Sequence, residues 1–253
     1  MDIARFTSGS TPTELVFLED SYSTKFEATV LKSFREKHRA YICLDKTLFH
    51  PRMGGQPNDE GFIEYMNGSI HVTKAFINNG VVVHIGSILY GDIPREGVTV
   101  YGKIDWIKRY KIMRRHTAGH LLDYCISRIL DRSIRTIDLW MGDPCYTVYD
   151  TRISLEDIAR IEYEASKIIE SDRNVYFTYI DHYELQQRYP DAPNLYRLPM
   201  GLNRYRIVVI DGCNSIPCTG THVRRLSEIG CIKIDRIEYT TEGYSKLYYD
   251  VYP

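Results

Sequence analysis

The chain has 253 residues, of which 43% are apolar and 26% charged, so it can bury a sizeable core and is not a disordered polypeptide. Its 32 Lys and Arg nearly cancel its 33 Asp and Glu, for a net charge of −1, which excludes a polybasic protein while leaving room for a local basic patch. Met1 to Phe17 contains no basic region followed by an apolar core, and the longest uncharged run, Ala75 to Gly91, is broken by Asn78, Asn79, Gly80, His84 and Gly86. Neither an export signal nor a membrane helix is expected. Six cysteines (Cys43, Cys125, Cys145, Cys213, Cys218 and Cys231) show no CxxC and no dense spacing, so the expectation is a cytoplasmic chain with free thiols.

The first hundred residues read as short strands at Leu15–Glu19, Phe26–Phe34, Arg39–Leu44, Phe62–Tyr65, Ser69–Phe76, Val81–Ile88 and Val98–Ile104. Gly, Pro, Asn and Asp separate them at the spacing of a small barrel or sandwich. From Asp105 the period changes to that of a helix, with Ile107, Tyr110, Met113, Thr117, Leu121 and Tyr124 in register as far as Leu130. A second helix opens at Ser154, where Ser154 and Asp157 have the spacing of a capping box and Ile158, Ile161, Ala165, Ile168 and Ile169 form an apolar stripe. A short third helix is expected at Asp181–Tyr189, ended by Pro190. Strands are expected at Tyr146–Asp150, Asn174–Ile180, Tyr205–Asp211, Ile229–Tyr239 and Lys246–Tyr252. The reading is α+β in two domains, a β-domain over 1–100 and an α+β domain over 101–253, with the boundary between Gly91 and Gly102.

Two spacings carry chemistry. His116 and His120 lie four apart on the first predicted helix and so share one face. About a hundred residues later, Cys218-Thr-Gly-Thr-His222 places a thiol and an imidazole in a segment that Pro217 and Gly220 mark as a tight turn. Three imidazoles and a thiolate suit zinc and exclude calcium or magnesium. With 8 His and 6 Cys in the chain either spacing also arises by chance, and from spacing alone a hydrogen-bonded core histidine pair stands level with a metal site. A third feature is the polar loop from His50 to Gly61, which contains Gly54-Gly55-Gln56-Pro57. Paired glycines allow close backbone approach to a ligand, and Gln56 offers a donor and an acceptor; the competing reading is a plain turn.

Taken together, the Gly-Gly-Gln-Pro loop, Arg-Arg-His116-Thr-Ala-Gly-His120-Leu-Leu, Cys218-Thr-Gly-Thr-His222-Val and the closing Glu228-Ile-Gly230 and Ile232-Lys-Ile234 resemble the alanyl-tRNA editing (AlaX-type) family. These are free-standing relatives of the editing domain of alanyl-tRNA synthetase, related also to that of threonyl-tRNA synthetase. Leu18-Glu-Asp-Ser-Tyr22 and Phe26-Glu-Ala are similar to that family's N-terminal barrel. The resemblance implies a small β-barrel followed by an α+β editing domain with an antiparallel sheet and a metal-binding helix. It implies one zinc ion per chain, held by His116, His120, Cys218 and His222. It also implies a trans-editing hydrolase acting on the acceptor end of mischarged tRNA(Ala), chiefly Ser-tRNA(Ala) and secondarily Gly-tRNA(Ala). Two departures are visible: Met53 stands where a third glycine is usual, and Thr219 replaces a more common glycine.

On this reading Gly54 and Gly55 permit close approach, and Gln56 orients water or holds the terminal ribose, with a loop-stabilising amide as its alternative. Thr136 is the first choice for a hydroxyl that recognises serine, ahead of Thr117 and Thr221. Four protein donors would close a zinc tetrahedron, so either His222 is loosely held, or the ion takes five ligands, or it chiefly orients substrate. Lys108, Arg109, Lys111, Arg114, Arg115, Arg224 and Arg225 flank the two motifs and are candidates for phosphate contacts. The competing functions are a tRNA- or metal-binding module without turnover and a zinc hydrolase of another small ester. Whether the chain is a monomer or a homodimer is left open.

Overall fold

In the computed structural model, residues 1–190, 192–195, 198 and 202–253 are described. The chain divides into two compact units, Met1–Tyr110 and Lys111–Pro253. The architecture is mixed α+β: one closed barrel, further antiparallel sheets and few helices.

Alternating apolar residues close the first unit. After a short helix α1 (Ile3–Thr7) come β1 (Glu14–Leu15), β2 (Lys25–Glu36), β3 (Arg39–Leu44), β4 (Lys46–Thr47), β5 (Gly61–Tyr65), β6 (Gly68–Asn78), β7 (Val81–Gly91) and β8 (Thr99–Ile104). Six of them form a closed barrel in the order β2-β3-β7-β6-β5-β8, which leaves no free sheet edge. Ala40, Ile42 and Leu44 of β3 point inward to meet Val30, Ile70, Val72 and Val100. Tyr41 and Cys43, on the other face of β3, are buried with Val81 and Val83 against Ile3 and Phe6 of α1. The short helix therefore explains why β3 is apolar on both faces. Asn79 (φ 48°) and Gly80 (φ 78°) turn β6 into β7, as a two-residue hairpin requires.

The strand expected at Leu15–Glu19 is mostly absent. Only Glu14 and Leu15 pair, in parallel with Lys46 and Thr47, and Val16–Leu18 is a 3-10 turn. The turn directs Phe17 inward, where it is fully buried in the barrel core, and so short an apolar run has no period that separates turn from strand.

The helix α2 (Trp106–Ile129) begins within one residue of the predicted start. Met113, Thr117, Ala118, Leu121, Leu122, Cys125 and Ile126 are buried, whereas Ile107, expected on the apolar stripe, is 84% exposed in the first turn. The second unit continues with β9 (Thr136–Trp140), β10 (Tyr146–Tyr149), α3 (Leu155–Glu170), β11 (Val175–Ile180), α4 (His182–Arg188), β12 (Tyr205–Ile210), β13 (Ser215–Pro217), β14 (Cys231–Tyr239) and β15 (Ser245–Tyr252). They form a four-stranded sheet, β14-β15-β10-β9, and a three-stranded sheet, β11-β12-β13, both antiparallel. The capping box at Ser154 is present, with Asp157 N donating to Ser154 Oγ and Ser154 N to Asp157 Oδ2. From α3, Glu162 accepts from Ile234 N at 2.7 Å, beside the bulge in β14. The strand predicted from Ile229 starts at Cys231, because Leu226–Ile229 is a 3-10 turn closed by Gly230 at φ 74°. β9 and β13 were not expected.

Candidate metal centre

All four candidate ligands lie in the second unit. Helical spacing stacks His116 on His120, ring centroids 5.0 Å apart and planes 23° from parallel. Cys218 and His222 come from the turn after β13. That turn is held from below by Arg206, whose Nη1 donates to the carbonyls of Cys218 (3.0 Å) and Gly220 (3.1 Å). Gly220 N also donates to Cys218 Sγ at 3.3 Å. The four donor atoms all lie within 4.8 Å of one another. Cys218 Sγ is 3.4 Å from Nε2 of both His116 and His222. The three histidines are buried and Cys218 partly so.

This spacing fits a metal ion. Tetrahedral zinc, with bonds of about 2.3 Å to sulfur and about 2.0–2.1 Å to nitrogen, sets a sulfur–nitrogen separation of about 3.5 Å. The Nε2 of His120 is buried and has no hydrogen-bond partner, a costly state for a core imidazole and an ordinary one for a ligand atom.

A second layer of side chains aims the ligands. Thr117 Oγ donates to the Met113 carbonyl (2.9 Å), accepts from Val223 N (3.2 Å) and lies 3.3 Å from His222 Nδ1. With its one proton given to Met113, the hydroxyl acts as acceptor toward His222, which puts the imidazole proton on Nδ1 and turns the Nε2 lone pair toward Cys218. Asp123, one helical turn after His120, places Oδ2 3.8 Å from His120 Nδ1, and its Oδ1 accepts from Thr136 Oγ at 3.3 Å. Asn214 Nδ2 donates to the His120 carbonyl at 2.7 Å. Asp123 and Asn214 also line a pocket of about 310 Å³ with Tyr124, Ser127, Tyr189 and Ser215.

Electrostatics follow from this crowding. Burial opposes ionisation of Cys218, but the neighbouring His116 and His222 outweigh it and hold the thiol well below its usual range. Burial and the charge of His116 push His222 well down. Burial also disfavours charge on His120, yet Asp123 and Cys218 together raise it to about 9.

Thr136 opens β9, buried, with its hydroxyl on Asp123. Gly54, Gly55 and Gln56 belong to the first unit. There Met53 and Gln56 exchange both backbone hydrogen bonds (2.9 and 3.2 Å), and Gly54 (φ 58°) and Gly55 (φ 82°) make the turn between them. Gln56 is buried. Met53, in place of a third glycine, lies outside the left-handed region and costs the turn nothing.

Two of the candidate phosphate contacts, Arg109 and Arg115, need correction, because both side chains are buried in ion pairs. Arg115 is buried, with Nε and Nη2 paired to Asp250 (2.8 and 2.7 Å), Nη2 to Asp143 (2.6 Å) and Nη1 on two carbonyls. Arg114 is bound to the carbonyls of Ile229 and Tyr252, and Arg225 to Asp172. In the first unit Arg109 is buried against Asp59, and Lys108 pairs with Glu60. For Arg109 and Arg115, proximity to the histidines reflects buried ion pairs, whereas Lys108, Lys111 and Arg225 are about half exposed in surface pairs. Sequence reasoning also passed over Asp123, although its place three residues after His120 on one helix face was a usable signal.

A family model described as tRNA synthetases class II (A) matches residues 14–108, which hold the barrel. The chain is a homologue of the alanine–tRNA ligases and of an alanyl-tRNA editing protein, over nearly all of its length. It is 33% identical over 244 residues to the alanine–tRNA ligase of Pyrobaculum neutrophilum, matching 91% of this chain and 26% of the ligase. It is 35% identical over 243 residues to that of Methanococcus maripaludis, at 94% and 26%. To the alanyl-tRNA editing protein AlaX-L of Pyrococcus horikoshii it is 32% identical over 229 residues, at 88% of this chain and 54% of that protein. The chain thus spans about a quarter of the ligases and about half of the editing protein.

Proposed function

We propose that this chain is a trans-editing hydrolase that removes the wrong amino acid from tRNA(Ala), chiefly serine and secondarily glycine. The observation that carries the reading is the convergence of His116, His120, Cys218 and His222, in a homologue of an alanyl-tRNA editing protein. The ion proposed for the cluster is zinc, one per chain, because three imidazoles and a thiolate match its preferences. When bound, zinc supplies Lewis acidity, which polarises a carbonyl or lowers the pKa of water toward about 7. The reaction adds water to the ester carbonyl and releases the free amino acid and the terminal hydroxyl of the tRNA.

The chain's own residues supply selection and position. Thr136 is the proposed hydrogen-bonding partner of the serine hydroxyl, because a site built around a buried polar group disfavours an analogue that leaves it unpaired. Gly54, Gly55 and Gln56 are proposed to meet the substrate through close backbone approach and through the Gln56 amide. Arg109 and Arg115 are committed to buried ion pairs, so on this reading phosphate contacts fall to the more exposed Lys108, Lys111 and Arg225.

The test is serine release from Ser-tRNA(Ala) by the purified, zinc-loaded protein, with Ala-tRNA(Ala) and a chelated sample alongside. Release of serine that spares alanine and falls on chelation is expected, and Thr136→Val is expected to narrow that preference. Failure of the folded, zinc-loaded protein to release serine would sink the deacylase reading.

A further inference from the structure

Asp123 is 7% exposed, and a carboxylate so buried is retained only with partners that meet its charge. Its two oxygens face different groups: Oδ2 is 3.8 Å from His120 Nδ1, and Oδ1 accepts from the Thr136 hydroxyl at 3.3 Å. His120 is the imidazole whose other nitrogen is buried without a partner inside the four-residue cluster. Thr136 is reached from β9 and His120 from α2, so one carboxylate ties a strand residue to a helix residue.

We propose that Asp123 is a positioning residue that serves two groups at once, holding the His120 imidazole in orientation for a metal ion and fixing the direction of the Thr136 hydroxyl. The inference rests on the editing function proposed above. At 3.8 Å the Asp123 carboxylate is within ion-pair reach of the remote nitrogen of His120, where its charge favours a proton on Nδ1 and so leaves Nε2 as the ligating atom. A hydroxyl that gives its proton to a carboxylate meets a substrate hydroxyl as an acceptor, so a serine side chain is met by a directed group and an alanine side chain by none. Metal affinity and amino-acid choice are thereby coupled through one side chain.

Two measurements on the full chain test it. In the first, zinc affinity is measured by chelator competition, without tRNA. Asp123→Asn is expected to bind zinc about 10–100-fold more weakly, the usual cost of losing such an outer partner, while Thr136→Val leaves zinc affinity unchanged. In the second, the ratio of serine to alanine release is compared in the wild type, Asp123→Asn, Thr136→Val and the double variant. Both single variants should narrow it, and the double variant should narrow it no further than Thr136→Val alone. Should Asp123→Asn not fold, Asp123→Glu, which keeps the charge but displaces it, is expected to weaken zinc in the same way. Unchanged zinc affinity in a folded Asp123 variant overturns the proposal, as does an additive effect on the ratio. A wild-type protein that binds zinc and releases no serine overturns the deacylase reading instead, and the zinc titration still decides the part played by Asp123.

Discussion

Tyr249 lies against Gly119 at a distance that only glycine allows. Its hydroxyl donates to the Arg115 carbonyl at 3.1 Å, and a Cβ built on Gly119 would stand 2.8 Å from that oxygen. Tyr249 is itself buried, so the ring has little room to withdraw. Between His116 and His120 the glycine thus admits a sheet residue onto the helix backbone. In an open helix Gly119→Ala gains about 1 kcal/mol from propensity, but overpacking a buried site costs about 1–3 kcal/mol. Net destabilisation of about 1 kcal/mol is expected by denaturant unfolding. In a Tyr249→Phe background the hydroxyl is gone and the same substitution should stabilise. If Gly119→Ala has the same sign in both backgrounds, the contact does not explain the glycine.

Thr117 offers a test of how His222 is held. Thr117→Val removes the oxygen 3.3 Å from His222 Nδ1 and leaves the rest of the side chain near its original volume. Zinc affinity should fall by about 10-fold or more, and Thr117→Ser should restore most of it. Equal affinity for wild type and Thr117→Val, measured by chelator competition, would show that His222 keeps its orientation unaided.

Much of this was legible because several signals were local. The capping box at Ser154, the barrel strands and the long helix from residue 106 rest on periodicity and caps, and they fall within a few residues of where they were read. The four cluster residues were legible as two pairs of fixed spacing. Bringing the pairs together depends on Arg206 and Asn214, whose contacts with residues 12 and 94 positions away leave no trace in spacing. Arg115 misled for the same reason: its partner Asp250 is 135 positions away, so the sequence shows the cation without its partner. Val16–Leu18 shows the other limit, since tertiary burial of one phenylalanine overrides strand propensity in a short run.

His84 gives the barrel a pH dependence. It is buried in β7, with Nδ1 3.1 Å from the Ile42 carbonyl and Nε2 2.8 Å from Thr47 Oγ. The carbonyl can only accept, so Nδ1 carries the proton and Nε2 accepts from the threonine. Burial outweighs the favourable carbonyl contact and drops its pKa from 6.5 to about 4. Between those values the unfolded chain takes up a proton that the folded chain does not. Stability is therefore intact above pH 6.5 and declines as pH falls toward 4, by about 3 kcal/mol in all for this one group. Unfolding free energies between pH 7.5 and 4.5 should show a steeper fall for wild type than for His84→Gln, which keeps a donor and an acceptor but does not titrate. Parallel slopes would remove His84 from the account.

The loop that carries Gly54, Gly55 and Gln56 is closed at its base by a buried ion pair. Asp59 accepts from His50 N at 2.6 Å and from Arg109 Nε at 3.0 Å, and a further contact joins Arg109 Nη2 to Asp59 Oδ2. Arg109 also donates to the carbonyls of Leu48 (2.6 Å) and Ser21 (3.0 Å), so a fully buried guanidinium reaches three segments of the barrel unit. Breaking such a pair from one side strands a charge. Asp59→Asn is expected to cost about 3–5 kcal/mol, whereas Asp59→Asn combined with Arg109→Met should recover part of that loss, because the unpaired cation is gone. The loop's own response separates a local role from a global one. Amide exchange at residues 50–59 should quicken in Asp59→Asn even under conditions where the rest of the barrel stays protected. Uniform loss of protection across the barrel would instead make the pair part of the global core, with no special hold on the Gly-Gly-Gln turn.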